Sequence, residues 1–240
     1  MPAPRPAATD AAPPPVAAPK SEAELQAEAL QRRHWRALRK ARAEGFLAGA
    51  AAMLRPGDLA LDCGANLGKV TDILARTGAD VIAFEPDPWT FERLSTRFAG
   101  VANVTLVNAA LGVSEGRVRL HRATNFDSNP SGASVKSTTL SGGHAIDDST
   151  GPEVALIDFP AFLRARLAER DEIALVKLDI EGAELDILEA MDRASLFDRI
   201  RVLLAETHER KFLHLRPRFH ALRQALAERH DPARVNLDWI

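Results

Sequence analysis

The sequence predicts an α/β protein with a mostly parallel central sheet, helices on both faces of that sheet and an N-terminal helical extension. From Pro56 onward, short apolar runs alternate with amphipathic stretches, which is the pattern that strand–helix–strand units produce. Before that point, the chain from Ser21 is rich in helix-forming residues. The 240 residues, of which 46% are hydrophobic and 27% charged, suit one globular domain with appended sequence.

The first 55 residues predict two segments. Residues 1–20 are mostly Pro and Ala, which offer too few large apolar groups to offset the entropy of ordering, so we expect a disordered leader. Residues 21–55 are expected to form the helical extension, because Ser21 and Glu24 match a capping box and helix-forming residues follow as far as Arg42. The basic residues of this segment predict a solvated helical face or, alternatively, a phosphate or nucleic-acid footprint; they are Arg32, Arg33, Arg36, Arg39, Lys40 and Arg42.

Five apolar runs predict the strands of a domain over residues 56–240. The runs are Asp58–Cys63, Asp80–Phe84, Val104–Asn108, Ile173–Leu178 and Val202–Ala205. A helix is expected after the first run, since Leu67, Val70 and Leu74 recur at helical spacing. Another helix is expected after the second run, where Asp87 can cap it and Pro88 suits its first turn.

The stretch from Arg122 to Gly151 is dense in Ser, Thr, Gly, Asn and Asp and has little apolar periodicity. It therefore predicts a long loop between the third and fourth strands. Loops of this length inside a compact domain are usually functional or mobile. Two alternatives follow, a segment that covers the substrate or a disordered insertion.

Charge and cysteine content limit the partners and the compartment. A formal net charge of -2 gives no global basic field, so neither nucleic acid nor an anionic membrane is expected as a partner. Cys63 is the only cysteine, which rules out an intramolecular disulfide and favours the reducing cytoplasm. No run of 18 or more apolar residues occurs, so no membrane span is expected. The oligomeric state stays open, with a homodimer among the alternatives.

The first predicted strand ends in an acid that is followed by a glycine turn, with Asp62, Gly64 and Gly68 spaced as D-x-G-x-x-x-G. Dinucleotide-binding folds use G-x-G-x-x-G here and present a helix N-terminus to a pyrophosphate. A carboxylate in place of the first glycine would repel a pyrophosphate but would attract the cationic methionyl part of S-adenosylmethionine. We therefore expect S-adenosylmethionine as the cofactor, with Asp62 orienting its amino group directly or through water. The turn itself, including Ala65 and Asn66, is expected to contact the methionyl carboxylate.

The second and third predicted strands end in further polar candidates. Glu85, followed by Pro86, lies about 20 residues beyond the glycine turn, the separation at which an acid meets ribose hydroxyls in nucleoside-binding folds. Its two oxygens can accept from both hydroxyls, so Glu85 is the predicted ribose ligand and Pro86 part of the same site. The alternative for Glu85 is a surface acid at a strand end. Asn108 predicts either a contact with the adenine edge or a cap for the next turn.

Five short segments of the chain carry a family resemblance. They are residues 62–68 (DCGANLG), 84–86 (FEP), 108–112 (NAALG), 176–184 (VKLDIEGAE) and 204–208 (LAETH). From about Pro56 to Glu209 the chain resembles the FkbM family of methyltransferases, and the Lys-x-Asp-x-Glu-Gly-x-Glu run is the most specific of the marks. The resemblance implies a Rossmann-like class I methyltransferase that uses S-adenosylmethionine. The expected reaction is O-methylation of a hydroxyl on a sugar, glycan or natural-product acceptor.

Such a reaction needs a group that takes the proton of the acceptor hydroxyl, or a metal that acidifies the hydroxyl. Asp179 closes the fourth predicted strand and Glu206 the fifth, at the same sheet edge as the cofactor acids, so either is expected to act as the proton acceptor. His208 is a further candidate because its unperturbed pKa is near neutrality. Asp179 and Glu206 also resemble the oxygen ligands that Mg²⁺ accepts. The sequence leaves general-base and metal-assisted mechanisms open.

Three neighbouring charged residues have alternative roles. Lys177 alternates with buried apolar residues, so it is expected either to reach the cleft or to pair with a nearby acid. Glu181 and Glu184 lie at a predicted helix start, where acids complement the helix dipole without any catalytic duty. A functional role is the alternative for Glu181.

Other functions are weighed against the same residues. A nucleotide-dependent oxidoreductase would need the pyrophosphate glycine pattern, which Asp62 interrupts. A nucleic-acid methyltransferase acting on amino groups usually carries an acid or Asn before Pro-Pro-aromatic at the fourth strand, whereas this chain has Asp179-Ile180-Glu181-Gly182. A non-catalytic binding module would have no need to keep all the candidate acids.

Overall fold

The computed structural model describes residues 21–124, 126, 137–139, 146–147, 151–209 and 212–239. The predicted leader over residues 1–20 lies outside the described residues. Contacts between residues divide the chain into two units on either side of the Ala41–Arg42 bond. The domain boundary expected near residue 55 remains a prediction.

Helix α1 runs from Glu22 to Ala52 and begins as predicted. The capping box forms, because the Ser21 amide donates to Glu24 Oε2 at 2.8 Å and the Glu24 amide donates to Ser21 Oγ at 3.3 Å. The helix extends well beyond Arg42, where the helix-forming run was expected to end. All six basic residues of the predicted surface are exposed, which agrees with a solvated helical face. Within the second unit, the last turns of α1 bury Ala43, Leu47, Ala50 and Ala51.

The described residues of the second unit form eleven strands. They are β1 (Leu59–Cys63), β2 (Asp80–Phe84), β3 (Val104–Val107), β4 (Ala110–Gly112), β5 (Gly116–Arg119), β6 (Arg122–Ala123), β7 (Ile146–Asp147), β8 (Glu153–Asp158), β9 (Ile173–Leu178), β10 (Ile200–Ala205) and β11 (Val235–Asn236). Six of them form a parallel sheet in the order β11-β10-β9-β1-β2-β3. All five predicted strands are present, with small shifts of their ends. The central strands β1 and β9 are buried along their whole length, as expected for strands covered on both faces.

Helices cover both faces of the parallel sheet, as predicted. The helices after α1 are α2 (Lys69–Ala75), α3 (Pro88–Arg97), α4 (Phe159–Ala168), α5 (Glu184–Arg193) and α6 (Arg216–Ala227), with 3₁₀ turns at Leu196–Arg199 and Leu213–Leu215. One apolar cluster joins α4, α5 and α6 to the sheet, and a second joins the end of α1 and α2 to it. Helix α3 starts as predicted, since Asp87 accepts a hydrogen bond from the Thr90 amide at 3.1 Å and Pro88 occupies the first turn.

Two small sheets were not predicted. Strands β4, β8 and β5 form a three-stranded sheet, and β6 pairs antiparallel with β7. The described part of the predicted long loop over residues 122–151 contains β6 and β7, two residues each, and the loop as a whole stays a prediction. The other residues of that stretch lie outside those described. Among the described helices, none has the length and apolar character needed to cross a membrane.

Candidate functional site

A cavity of about 440 Å³ lies where the parallel strands end. Its lining includes Gly64 after β1, Glu85 after β2, Asp179 after β9 and Glu206 after β10. Open α/β sheets bind ligands at this carboxyl edge, and the volume falls in the usual range of about 300–1,000 Å³ for small-molecule sites. Glu85, Asp179 and Glu206 therefore border one cavity, and the sequence predicted that strand-end acids would converge on one cleft.

Most of the predicted site residues reach this cavity. Those that line it are Gly64, Ala65, Asn66, Glu85, Pro86, Lys177, Asp179 and Glu206. Asp62, Gly68, Asn108 and His208 are not part of the lining, and each contacts residues next to it. The binding and catalytic roles assigned from the sequence stay predictions.

The glycine turn brings two strand ends very close together. Gly64 has φ 83°, and a Cβ atom placed on it would lie 1.8 Å from the backbone oxygen of Asp179. Gly68 has φ 78°, and a Cβ there would lie 2.4 Å from the ring of Phe98. Gly64 therefore permits close backbone approach beside the cavity, whereas Gly68 permits packing of the turn against α3.

Glu85 is held rigidly at the cavity wall. Its Oε2 accepts a hydrogen bond from the Asn66 amide at 2.8 Å, and its Oε1 accepts one from the Asp87 amide at 2.9 Å. Burial raises the pKa of Glu85 to about 7. Each carboxylate oxygen keeps a second acceptor site, so the group can still accept from a ligand.

Asn108 fastens the turn that carries Glu85. Its side-chain amide donates to the backbone oxygens of Glu85 and Pro86 at 2.7 Å and 3.2 Å. These contacts go to the turn after β2, so a cap for the turn that follows Asn108 stays a prediction. A contact with the adenine edge remains a prediction.

The carboxylate of Asp62 contacts two side chains of the protein. The side chain is fully buried, its Oδ2 accepts from Thr71 Oγ1 at 2.7 Å, and its Oδ1 lies 3.2 Å from Lys177 Nζ. The predicted role of Asp62, to orient a ligand amino group directly or through water, stays a prediction. Lys177, the partner of Asp62, lines the cavity, as does Lys69.

Both alternatives for Lys177 hold at once, because it lines the cavity and pairs with acids. Its Nζ donates to the backbone oxygens of Gly64 at 2.7 Å and Cys63 at 3.2 Å, and lies 3.6 Å from Asp179 Oδ2. Burial lowers the pKa of Lys177, but the negative charges of Asp62 and Asp179 raise it overall. The ammonium group is therefore charged at neutral pH.

The other end of the cavity is acidic. His208 Nε2 lies 3.2 Å from Glu181 Oε2, 3.8 Å from Glu206 Oε1 and 3.9 Å from Asp179 Oδ1. Burial raises the pKa of Asp179, and burial together with the charge of Asp179 raises the pKa of Glu206 to about 7. Burial lowers the pKa of His208, but its hydrogen bonds to Glu181 and Glu184 raise it to about 11. A protonated imidazole cannot accept a proton, so this charge state favours Asp179 and Glu206 over His208 as the acceptor.

Glu184 organises this acidic end, a role that the sequence did not indicate. It is fully buried; Oε1 accepts from the Ile180 amide at 2.9 Å and Oε2 from the Gly182 amide at 2.8 Å. Oε1 also lies 2.9 Å from His208 Nδ1. Between the two bonded amides, Glu181 takes the left-handed conformation with φ 64°, which is costly for a residue with a side chain. Glu184 thus holds the strained turn that presents Glu181 to the cavity.

Residues 62–231 match the family model described as the methyltransferase FkbM domain, which covers most of the chain. The chain belongs to the FkbM methyltransferase family. The resemblance inferred from the short motifs is therefore confirmed. Together with the six parallel strands, the match also confirms the prediction of a Rossmann-like methyltransferase fold.

The individual proteins to which the chain is similar share 30% or less of their sequence with it. The 31-O-demethyl-FK506 methyltransferase FkbM of Streptomyces tacrolimicus is 30% identical over 178 residues, covering 65% of this chain and 67% of the relative. The hexuronic acid methyltransferase AglP of Haloferax volcanii is 29% identical over 155 residues, covering 63% of this chain and 56% of the relative. A solved rRNA methylase of Streptococcus thermophilus is 14% identical with a TM-score of 0.38, covering 78% of this chain and 77% of that one.

Several residues that line the cavity were not predicted as site residues from the sequence. Ser137 and Thr139, from the predicted long loop, line the cavity, as does Leu111 of β4. Both alternatives for that loop, a segment that covers the substrate and a disordered insertion, stay predictions. Trp239, near the end of the described chain, also lines the cavity. No spacing or motif in the sequence connects Trp239 to the strand ends.

Proposed function

We propose that this FkbM-family chain is an S-adenosylmethionine-dependent O-methyltransferase that methylates a hydroxyl of a sugar, glycan or natural-product acceptor. One observation carries the proposal: a single cavity joins the glycine turn and Glu85 at one end to Asp179 and Glu206 at the other. The names of the relatives support it, since one is named for an oxygen position of a natural product and the other for hexuronic acid.

The residues at the first end suit S-adenosylmethionine. The fixed carboxylate of Glu85 would accept from the ribose hydroxyls, and the backbone from Gly64 to Asn66 would contact the methionyl part. When bound, S-adenosylmethionine supplies the methyl group that the acceptor oxygen attacks in line.

The residues at the second end suit proton removal from an alcohol. Asp179 and Glu206 are both partly exposed to the cavity, each with 26% of the side chain accessible, and either carboxylate would take the hydroxyl proton during the attack. Lys177 stabilises the ionised form of Asp179 from 3.6 Å. Holding the acceptor oxygen in line with the methyl carbon accounts for much of the rate gain in reactions of this kind.

A second candidate mechanism uses a divalent cation to acidify the hydroxyl. Within the described residues, Asp179, Glu206 and His208 each offer a ligand atom, and these atoms lie within 4.8 Å of one another. Two carboxylates with an imidazole suit several divalent metals, whereas Mg²⁺ prefers an all-oxygen set. The predicted Mg²⁺ gains no support from the comparisons.

Calorimetry and a methyl-transfer assay test the proposal. The protein should bind S-adenosylhomocysteine, and with labelled S-adenosylmethionine it should methylate members of a panel of sugars, uronic acids, glycans and polyhydroxylated natural products. Asp179→Asn and Glu206→Gln should lower turnover by about 10²-fold or more for whichever residue is the base, while Asp186→Asn on the exposed side of α5 serves as the matched control. Methylation of RNA but of no hydroxyl-bearing small molecule or glycan would replace this function with the nucleic-acid alternative.

Chelation separates the two mechanisms. Activity that survives exhaustive chelation supports the general base alone. Activity that is lost on chelation and restored by one added metal supports the cation, and the His208→Ala variant should then require a higher metal concentration.

A further inference from the structure

The exposed part of α1 concentrates positive charge. Between Ala29 and Ala41 the sequence has five basic residues and no acidic one. The whole chain has a formal net charge of -2, so the rest of it is net negative. The charge of the whole chain therefore conceals a local positive field on this helix. The five basic residues are all exposed; they are Arg32, Arg33, Arg36, Arg39 and Lys40.

These five residues, here called the basic face, lie on one side of α1. Arg32, Arg36 and Lys40 follow one another at intervals of four residues, which places them above one another on an α-helix. Arg33 and Arg39 are each three residues from Arg36, so they flank that row. The positive charge is therefore gathered on a single stripe of the helix.

The other side of the same segment exposes large apolar side chains. Leu30 and Leu38, here called the leucine face, are eight residues apart, just over two turns, with His34 between them. Leu30 is 68% exposed and Leu38 is 47% exposed. Trp35, which is 58% exposed, is three residues from Leu38 and four from Arg39, so it borders both faces. The segment is therefore amphipathic and carries its tryptophan at the border.

A helix with a basic face, an opposite apolar face and a border tryptophan has the pattern of helices that lie at a lipid surface. Its leucines enter the acyl boundary, its arginines and lysines meet the lipid phosphates, and its tryptophan lies at the level of the headgroups. Nucleic acid would contact the basic face through its phosphates and leave the exposed leucines in water. The two faces together therefore favour a lipid surface over nucleic acid.

We propose that residues 29–41 of α1 dock the protein on an anionic lipid surface. The leucine face enters the headgroup region, and the basic face supplies charge complementarity to the lipid phosphates. Helix α1 lacks the apolar character needed to cross a membrane, so it lies along the surface. The expectation that an anionic membrane is not a partner came from the net charge of the whole chain, which this segment does not share. The inference does not rest on the proposed function, because it concerns α1 alone.

Co-sedimentation of the full chain with lipid vesicles tests the docking. Vesicles of phosphatidylcholine with about 30% phosphatidylglycerol provide the anionic surface, and vesicles of phosphatidylcholine alone provide the neutral one. The protein should bind the anionic vesicles at least about tenfold more strongly than the neutral ones. Added salt should weaken the binding, since it screens exposed charges.

The leucine face is tested by Leu30→Ala/Leu38→Ala, which keeps good helix formers at both positions. This variant should bind the anionic vesicles about tenfold or more weakly, because the buried apolar area is lost. Leu213→Ala/Val113→Ala changes two exposed apolar side chains elsewhere and should shift the binding by less than about twofold.

The basic face is tested by Arg33→Gln/Arg36→Gln/Arg39→Gln. The loss of three charges should weaken binding to the anionic vesicles about 100-fold. A matched control removes the same number of charges from exposed arginines outside α1 and should bind as the unmodified protein does; it is Arg76→Gln/Arg117→Gln/Arg193→Gln.

Tryptophan fluorescence gives a second readout that does not depend on the leucine or arginine variants. The emission of the unmodified protein should shift to shorter wavelength on anionic vesicles, and Trp35→Phe should bind them without that shift. Failure of the unmodified protein to bind the anionic vesicles, or equal binding by the leucine variant, would overturn the inference. Binding to a duplex RNA that only the arginine variant weakens, without binding to vesicles, would assign the basic face to nucleic acid instead.

Discussion

Lys177 Nζ lies 3.2 Å from Asp62 Oδ1, and both side chains are almost fully buried. The two residues are register partners on the adjacent strands β9 and β1, so the ion pair joins the two central strands at their cavity end. A buried pair of this kind is not necessarily stabilising overall, but removing one partner leaves an uncompensated buried charge. The pair should therefore behave as a unit.

Single and double substitutions measure that coupling. Lys177→Met should lower the free energy of unfolding by about 3–5 kcal/mol, because Asp62 would keep only its hydrogen bond from Thr71. The double variant Asp62→Asn/Lys177→Met should be more stable than the sum of the two single changes predicts, and urea unfolding of all four proteins gives the coupling energy. Strictly additive losses would mean that the two charges do not depend on each other.

Gly64 and Gly100 form a matched pair that separates steric from conformational cost. Both have positive φ, 83° and 78°, but a Cβ at Gly100 would meet nothing within 4 Å. Gly100→Ala should cost only the left-handed backbone, about 1–2 kcal/mol. Gly64→Ala should cost several kcal/mol more, since overlap with the Asp179 backbone must displace β9 or the turn, and it should abolish S-adenosylhomocysteine binding. Urea unfolding and calorimetry check both, and equal losses for the two variants would contradict the close approach.

The sequence predicted best those strands that are buried along their whole length. Strands β1 and β9 are buried along their whole length and are apolar except for Asp62 and Lys177. Because parallel strands end at a common edge, the acids that follow them were correctly expected to converge. The small sheet escaped prediction because β5 is short and alternates Arg117 and Arg119 with small or apolar residues, which carries little apolar signal.

The contacts of individual site residues depend on register and on distant segments. Pairing across β1 and β9 places Lys177 directly beside Asp62, so the acid that partners Lys177 is set by the register of the two strands. Such a partner is 115 positions away in the sequence, and only the strand register brings it into contact. Trp239 reaches the cavity from beyond the last strand through its packing and its bond to the Ala43 backbone oxygen. Glu184 is held by backbone amides of a turn and by His208, contacts that no sequence pattern specifies.

Glu184 should prove more important for stability than for direct chemistry. Glu184→Gln replaces one acceptor oxygen by an NH₂ group, which leaves the Ile180 or Gly182 amide without its partner. The expected loss is about 1–3 kcal/mol for a buried unsatisfied donor, and the pKa of His208 should fall because Glu184 helps to raise it.

The control for that substitution is Glu189→Gln on the same helix. Glu189 pairs with Arg218 at the surface, and exposed pairs contribute only about 0–1 kcal/mol. Urea unfolding and an NMR titration of the His208 ring supply the two readouts. An unchanged His208 pKa in the Glu184 variant would argue that the hydrogen bond at Nδ1 does not hold the proton there.

Cofactor binding should depend on pH through Glu85. Burial raises the pKa of this carboxyl to about 7, so it is mostly protonated at pH 6 and mostly ionised at pH 8. The ionised form is the stronger acceptor for the ribose hydroxyls. If only that form is competent, the apparent affinity for S-adenosylhomocysteine should rise about tenfold between pH 6 and pH 8, in proportion to the ionised fraction.

Glu85→Gln isolates the contribution of this one carboxyl group. Its amide cannot ionise, so the variant should bind more weakly at pH 8 and should lose the part of the pH dependence that is centred near pH 7. Calorimetric titration of both proteins at several pH values between 6 and 8 gives the comparison directly. Glu85 is the ionisable group that the Asn66 and Asp87 amides hold at this wall. If the affinity changes with pH equally in the variant and in the unmodified protein, a group other than Glu85 controls the pH dependence of binding.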